Sequence, residues 1–181
     1  MSGFTIEEWR PSGVNDPSLA PDLEELAHIL RAIVYHGAGV SFVVPFSMED
    51  SRAFWTDKVL PGVLTGTRCV LVARIANRIV GTVQMDTATP PNQPHRADVT
   101  KMLVRPDSQR RGIARALMVR LEEVALARGR TLLTLDTWTG SHAETLYRSL
   151  GYVEVGVIPR YARGSTTPAL EPATFMYKEL S

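Results

Sequence analysis

Cysteine is almost absent from the sequence, and the single one, Cys69, has no second cysteine with which to pair. A disulfide bond between two residues of this sequence is therefore excluded. The histidines and carboxylates also lack the spacings that are typical of metal ligands, so we expect no bound metal. Cys69 itself lies in an apolar stretch, which favours a small core residue over a nucleophile.

The sequence also lacks an excess of positive or negative charge, and it lacks long apolar runs. The 20 basic and 19 acidic side chains give a formal net charge of +1. A chain so close to neutrality has no overall attraction to nucleic acid or to an anionic membrane surface. No run of residues is apolar enough to cross a bilayer, and the first residues lack a signal-peptide pattern. We therefore expect a cytoplasmic protein with no nucleic-acid or membrane partner, either a monomer or a homodimer.

The apolar spacing predicts one domain over residues 1–181, with strands and helices in the order β-α-α-β-β-β-α-β-α-β-β. This order predicts an α/β fold of the α+β type, with a mixed and mostly antiparallel sheet of about seven strands flanked by about four helices. Only one strand-helix-strand connection in this order favours a parallel strand pair. We expect that pair to be Asp98–Val104 and Thr131–Asp136, which the long helix joins.

Turn residues set the expected boundaries of the other elements. We expect Pro11–Pro21 to be a loop, a helix from about Asp22 to Gly37, and a Ser47-capped helix that ends at Pro61-Gly62. The remaining expected elements are a strand over Phe4–Arg10, a hairpin of Cys69–Ile75 and Ile79–Met85 turning at Asn77, a bulge or close backbone approach at Gly81, a helix over His142–Leu150, and a final pair of Tyr152–Ile158 and Ala173–Leu180.

The turn between the central strand and the long helix carries the first motif, Gln109-x-x-Gly112-x-Ala114. Gly112 has no Cβ, so a ligand can approach the backbone closely there. The first N–H groups of the following helix have no internal partner and attract an anion such as phosphate. The side chains of Arg110, Arg111 and Arg115 add positive charge. The alternative is an ordinary strand-turn-helix whose arginines face solvent.

A second motif, Ala143-x-x-x-Tyr147-x-x-x-Gly151-Tyr152, lies on the predicted short helix. The two motifs and the element order resemble those of the GNAT superfamily of acyl-CoA N-acetyltransferases. The resemblance covers nearly the whole chain. Many members carry asparagine at the position of Gly140, so one expected contact to the cofactor is missing here or is made by the backbone.

The resemblance implies acetyl-CoA as the cofactor. Its pyrophosphate would bind the helix start, and its pantetheine arm would lie between the parallel strands as they splay apart. The implied cofactor-binding residues are Met102, Leu103 and Val104 through their backbone, then Gln109, Arg110, Arg111, Gly112, Ile113, Ala114 and Arg115, and finally Ala143 and Tyr147 beside the sulfur.

Within the superfamily, four segments are similar to the tabtoxin-resistance acetyltransferases: Thr131-Leu132-Leu133, Leu135-Asp136-Thr137, Leu146–Tyr152 and Ile158-Pro159-x-Tyr161-Ala162. Those enzymes acetylate the free amine of a toxic β-lactam amino acid. The resemblance implies that Asp98, Asp136 and Tyr147 are the catalytic residues.

The chemistry explains why such groups are needed. An acceptor amine, with a free pKa of roughly 8–10, must lose a proton before it attacks a thioester. Asp136 or Asp98 could accept that proton, and a hydrogen bond from Tyr147 could stabilise the departing thiolate. Plainer alternatives remain: Asp136 could bond the loop backbone, Asp98 could simply begin a strand, and Tyr147 could meet solvent.

We therefore expect an acyltransferase that moves an acetyl group from acetyl-CoA directly to the primary amine of a small molecule. A protein N-terminus or lysine as acceptor, or a non-catalytic acyl-CoA sensor, stays open. The acceptor pocket is expected from the loops Val40–Pro45, Ala88–Arg96 and Arg160–Pro172, with Trp138 and Tyr161 either as walls or as loop packing. The Lys-Ser/Thr pair of a nucleotide-hydrolysing P-loop is lacking.

Overall fold

The computed structural model describes residues 3–181. Seven strands in this range form one sheet with the order β1-β2-β3-β4-β5-β7-β6. All neighbouring strands are antiparallel except β4 and β5, which are parallel, as predicted. The strands are β1 (Thr5–Glu8), β2 (Arg68–Ile75), β3 (Arg78–Asp86), β4 (Arg96–Val104), β5 (Leu132–Trp138), β6 (Val153–Arg163) and β7 (Leu170–Glu179).

Helices cover both faces of the sheet. They are α1 (Leu19–Tyr35), a rod made of α2 (Met48–Ala53), a π-helical turn (Phe54–Val59) and α3 (Leu60–Thr65), then α4 (Ile113–Ala127) and α5 (His142–Ser149). Helix α1 and the rod pack on one face, which we call the acceptor face, in a core that includes Leu30 and Trp55. Helices α4 and α5 cover the opposite face with Leu117, Leu121 and Tyr147. Over residues 3–181, no helix combines the length and apolarity that crossing a bilayer requires.

Two predicted helix boundaries were wrong, both at prolines. Helix α1 begins at Leu19, so Pro21 lies inside its first turn, where the missing N–H has no intrahelical partner to lose. Pro61-Gly62 does not end the second helix, because Pro61 lies in the first turn of α3, the α-helical segment that begins at Leu60 directly after the π-helical turn. The rod ends instead at Gly66, which has a left-handed φ of 79°. The predicted cap is confirmed: Ser47 and Asp50 form a reciprocal capping box.

The hairpin between β2 and β3 turns where predicted, but on a different residue. Ala76, and not Asn77, has the positive φ, at 53°. Gly81 confirms the expected close approach. A Cβ there would lie 3.0 Å from Cγ2 of Ile113 and 3.2 Å from the backbone oxygen of Leu103, so glycine lets α4 sit directly on β3.

Strand β6 is longer than its predicted end at Ile158. Its ladder with β7 is irregular between Ile158 and Ala162, and Arg160 has a positive φ of 55°. Pro159 and this irregularity interrupt the alternation of side chains, which is why the sequence signal stops early. Tyr161, expected in an irregular connection, therefore lies on a strand.

Candidate active site

Strands β4 and β5 pair over a very short distance and then separate. Their register joins Arg96 to Leu132, Ala97 to Leu133 and Asp98 to Thr134, and no pairing continues beyond Asp98. The edge of β4 that is turned away from β3 therefore has no strand partner from Val99 onward. Met102, Leu103 and Val104 lie on this part of β4, beside the slot between the two strands.

A β-bulge lies in β4 beside this slot. Gln84 pairs with Thr100 and Thr82 pairs with Leu103, so one more residue stands on β4 than on β3 between these pairs. Lys101, one of the residues in the bulge, has a positive φ of 51°. A bulge re-aims the side chains of its strand, and here Lys101 is turned toward the acceptor face, against Phe42 and Phe54.

The start of α4 lies at one end of the slot and is open. Gly112 has a left-handed φ of 80°, and nothing lies within 4 Å of the position where a Cβ would be. No side chain caps the helix, and the first N–H bond onto its start is from Ala116 to the oxygen of Gly112. The N–H groups of Ile113, Ala114 and Arg115 thus have no partner in residues 3–181, which is the arrangement that binds an anion.

The polar side chains of this turn differ in their freedom. Arg110 and Arg111 are exposed, and Arg110 has a positive φ of 62°. Gln109 donates through Nε2 to the backbone oxygen of Val104 at 3.2 Å, which ties the turn to the end of β4. Arg115 donates to the hydroxyl of Ser149 at 2.6 Å, so its side chain links α4 to α5.

Tyr147 lies on α5 with only 5% of its surface exposed. Its ring is 5.7 Å from that of Tyr152, which holds it in place. Burial raises the pKa of the Tyr147 phenol above its ordinary value, and the negative charge of Asp136 adds to this rise. The phenol therefore keeps its proton at neutral pH and can donate a hydrogen bond.

The turn before α5 has Gly140 where many members of the superfamily have asparagine, and the backbone N–H of Gly140 is already hydrogen-bonded. The hydroxyl of Ser141 accepts from the N–H of Glu144 at 3.1 Å, which caps the helix. The Glu144 carboxylate accepts from the N–H of Gly140, so that donor is not free for a cofactor. Ala143 is partly buried and packs against the core below Tyr147.

The two candidate carboxylates lie on the same face of the sheet in different surroundings. Asp98 forms an ion pair with Arg96 and accepts a hydrogen bond from Thr134. Asp136 is exposed and lies two residues beyond Thr134, the last position of β5 that pairs with β4. It stands directly across from Phe175 of β7, whose ring packs edge-on against Tyr161 at 5.3 Å. Within the described part of the chain, Asp136 makes no ion pair.

Strands β2 to β5 carry eight charged residues, and six of them are in ion pairs. The pairs are Arg68–Asp86, Arg74 with Glu7 and Asp22, Arg78–Glu25, and Arg96–Asp98. The remaining two are Lys101 and Asp136, which form no ion pair with any residue of the described range 3–181. One unpaired cation and one unpaired anion thus flank the slot on the acceptor face.

Lys101 is half-buried among aromatic rings. Its ammonium lies 5.6 Å from the centre of the Phe42 ring and 5.7 Å from that of Phe54, and donates to the hydroxyl of Ser41 at 3.2 Å. Burial lowers the pKa of Lys101 below its ordinary value, while the negative charge of Asp136 acts in the opposite direction. Sequence reasoning missed this residue, although a lysine within an apolar strand was a visible signal.

Two loops meet over the acceptor face. The N–H of Val44 donates to the backbone oxygen of Ser165 at 2.9 Å, and the hydroxyl of Ser165 donates to the oxygen of Ala38. Trp138 packs against Gly39, so it fixes the same loop. Of the three loops expected to line a pocket, the first contributes Phe42, the third contributes Tyr161 through β6, and the second ends at Arg96, which neutralises Asp98.

Cys69 lies in the interior of β2 and has no exposed surface. Burial, with a further contribution from the charge of Glu8, raises the pKa of its thiol to about 12. We expect a thiol-directed reagent to label the native protein negligibly and to label one thiol after unfolding. We also expect Cys69→Ala to keep the activity of the wild type and to lose about 1 kcal/mol of stability. A folded Cys69→Ala variant without activity would contradict this prediction.

No group of three or more histidine, cysteine or carboxylate side chains that could hold a metal ion occurs in residues 3–181. The candidate site consists of an open helix start, a slot between two parallel strands, a buried tyrosine and an exposed carboxylate. The strand order and the separating parallel pair are those of the acyl-CoA N-acyltransferase fold.

Comparisons with known proteins agree with this class. A family model described as an acetyltransferase (GNAT) domain matches residues 66–154. An uncharacterized N-acetyltransferase of Azospirillum brasilense is 33% identical over 118 residues, which cover 64% of this chain and 67% of that protein. The chain therefore belongs to the GNAT acetyltransferase family.

Solved structures share the fold over almost the whole chain. An N-acetyltransferase from Staphylococcus aureus Mu50 has a TM-score of 0.79 at 15% identity, covering 98% of this chain and 99% of that one. An acetyltransferase from Salmonella typhimurium, solved with its cofactor acetyl-CoA, has a TM-score of 0.77 at 19% identity, covering 99% of this chain and 95% of that one. A ribosomal-protein-alanine N-acetyltransferase from Brucella melitensis has a TM-score of 0.74 at 23% identity, covering 97% of this chain and 99% of that one.

Proposed function

We propose that this protein transfers the acetyl group of acetyl-CoA directly to the primary amine of a small molecule. The observation that carries the proposal is the slot between β4 and β5, which has an open helix start at one end and an unpaired carboxylate, Asp136, beside it. Family membership supports the transfer of an acetyl group, and the cofactor of the Salmonella typhimurium acetyltransferase supports acetyl-CoA as its donor.

The cofactor would lie along the slot. The N–H groups of Ile113, Ala114 and Arg115 would bind the pyrophosphate, and the exposed Arg110 and Arg111 would add charge-assisted bonds. The open space at Gly112 leaves room for the phosphate oxygens. The pantetheine arm would then bond the backbone edge of Met102, Leu103 and Val104 that has no strand partner in the described chain, and at the oxygen of Val104 it would replace the bond from Gln109.

The reactive end of the cofactor would reach the region between Tyr147 and Asp136. Asp136 accepts the proton of the acceptor ammonium, directly or through water, and the neutral amine attacks the thioester carbonyl. Tyr147 donates a hydrogen bond to the sulfur as negative charge develops on it. Asp98 is neutralised by Arg96, so we assign it the positioning of β4 and β5 instead of proton removal.

A small acceptor is favoured by the loops over the acceptor face. The contacts of Val44 and Ala38 with Ser165 join two loops above the sheet, which restricts the room for an extended peptide. Amino acids and toxic or antibiotic-like amines therefore come first, including the tabtoxin-type β-lactam that the sequence suggested. One structure of the same fold is described as a phosphinothricin N-acetyltransferase.

The test is release of coenzyme A. The full chain is mixed with acetyl-CoA, a panel of small amines and peptides, and a reagent that reports free thiols; because Cys69 is buried, the protein contributes little background. We expect thiol release with at least one small amine and slower release with peptides. Binding of acetyl-CoA without release from any amine or peptide would support the acyl-CoA sensor instead. Faster release with peptides would indicate a protein acetyltransferase.

We expect Tyr147→Phe to lower kcat by about 10- to 100-fold, the value of one hydrogen bond to a charged atom, and to leave acetyl-CoA affinity nearly unchanged. Tyr152→Phe is the matched control, because Tyr152 packs against Tyr147 but has its hydroxyl near Glu122. Steady-state kinetics and calorimetry separate the two effects. Equal rates for the wild type and Tyr147→Phe would refute the role of the tyrosine.

A further inference from the structure

We propose that Lys101 binds the carboxylate of the acceptor while Asp136 receives its amine, so that the acceptor is a zwitterion such as an amino acid. This inference rests on the proposed function and narrows its substrate class. Lys101 and Asp136 are the two charged residues of β2 to β5 that lack an ion-pair partner in the described chain. They lie on the same face of the sheet, at the opening between β4 and β5.

Lys101 is held in a way that suits ligand binding. The bulge in β4 turns the side chain to the acceptor face, and the rings of Phe42 and Phe54 flank its ammonium at 5.6 and 5.7 Å. The hydroxyl of Ser41 accepts one of its three hydrogen-bond donors. A half-buried ammonium with donors to spare is costly unless an anion pairs with it, and no residue of the described range 3–181 supplies that anion.

The charges around the opening between β4 and β5 define which ligand charges the site can bind. Arg68 and Arg96, two other cations of the sheet, are already neutralised by Asp86 and Asp98. Lys101 and Asp136 are separated by more than the 4.0 Å of an ion pair, although the charge of Asp136 still acts on Lys101. A ligand with one positive and one negative group can bridge this gap and leave no net charge. One ammonium matches the single charge of a carboxylate better than the double charge of a phosphate.

The aromatic rings supply the rest of the pocket. Phe175 lies directly across the sheet ladder from Asp136, with Tyr161 against it, and Phe42 and Phe54 stand on the side of Lys101. An apolar side chain of an amino acid can be buried between these rings while its two charged groups bind Asp136 and Lys101. Pockets with apolar walls and a few placed charges are typical of small-molecule sites.

The test compares amino acids with the amines that remain after loss of the carboxylate. L-phenylalanine, L-leucine and L-lysine are paired with phenethylamine, isoamylamine and cadaverine, and L-phenylalanine methyl ester is added. We expect kcat/KM to be higher for each acid than for its amine by about tenfold or more, with the difference mainly in KM. The ester should behave like the amine.

Variants then assign the preference to Lys101. Lys101→Met keeps the length and the contacts with the rings but removes the charge, so the ratio of kcat/KM between acid and amine should fall to about one. Lys101→Arg should restore much of the ratio, and Lys58→Met, a matched change on an exposed helical residue, should keep the wild-type ratio. Equal use of acids and amines by the wild type, or an unchanged ratio in Lys101→Met, overturns this inference and leaves the proposed function intact. No turnover of any amine overturns both.

Discussion

Replacing Asp136 by asparagine is expected to lower kcat by about 100-fold or more, the usual contribution of a positioned general base. Asparagine has nearly the same shape but does not accept a proton. Asp136 makes no ion pair within residues 3–181, so the substitution breaks no such contact, and the acetyl-CoA affinity and the melting temperature should stay close to those of the wild type. Steady-state kinetics with an accepted amine, calorimetry and thermal unfolding measure the three quantities.

The pH dependence of the residual rate gives a second measure of this role. Without a base, only the acceptor molecules that are already deprotonated react, so the rate of Asp136→Asn should rise roughly tenfold per pH unit below the pKa of the amine. The wild type should rise less steeply. A wild-type rate in the variant would show that Asp136 is not the base.

Asp98→Asn is the matched comparison, because it makes the same chemical change on the same face of the sheet. Asp98 is paired with Arg96 and bonded to Thr134, so its loss should leave Arg96 unpaired and lower the stability more than Asp136→Asn does. Its effect on kcat should be the smaller one. The opposite order of the two variants would assign proton removal to Asp98.

Gly112→Glu is expected to weaken acetyl-CoA binding by more than about 100-fold, because a carboxylate would occupy the space of the pyrophosphate and repel it. No protein atom lies within 4 Å of the Cβ position at Gly112, so we expect the loss to be specific to the ligand. The positive φ of 80° adds a backbone strain of about 1–2 kcal/mol, which should appear in the melting temperature.

Gly129→Glu separates this strain from the loss of binding. Gly129 follows the other end of α4, has a similar φ of 70°, and likewise has nothing within 4 Å of its Cβ position. Both variants should therefore lose similar stability, and only Gly112→Glu should lose affinity in calorimetry. Undiminished affinity of Gly112→Glu would mean that the pyrophosphate binds elsewhere.

The sequence predicted the elements with strong local signals. The seven strands, the parallel pair and the long helix after Gly112 follow from apolar periodicity and from glycine at a turn. The cap at Ser47 was predicted for the same reason, since a cap depends on residues three apart in the chain. These features need no knowledge of distant contacts.

The errors occurred where tertiary contacts override a local signal. Pro61 was expected to end a helix, but packing of Trp55 and Val59 in the core holds a π-helical turn before it, and the rod continues. In β4, the bulge changes which face each later side chain meets, and alternation alone gives no warning of it. The face that the side chain of Lys101 meets therefore cannot be read from the alternation of residues in β4.

The family fold, the open helix start at Gly112 and most of the candidate residues can be predicted from the sequence, because their signals lie in residues that are close together in the chain. Three facts appear only in the folded chain: Asp98 is neutralised by Arg96, Asp136 has no ion-pair partner in residues 3–181, and Lys101 stands on the same face. The ion pairs, and the face of the sheet on which each side chain lies, depend on strand register, on one bulge and on side chains that are distant in the sequence. None of these leaves a periodic trace in the sequence.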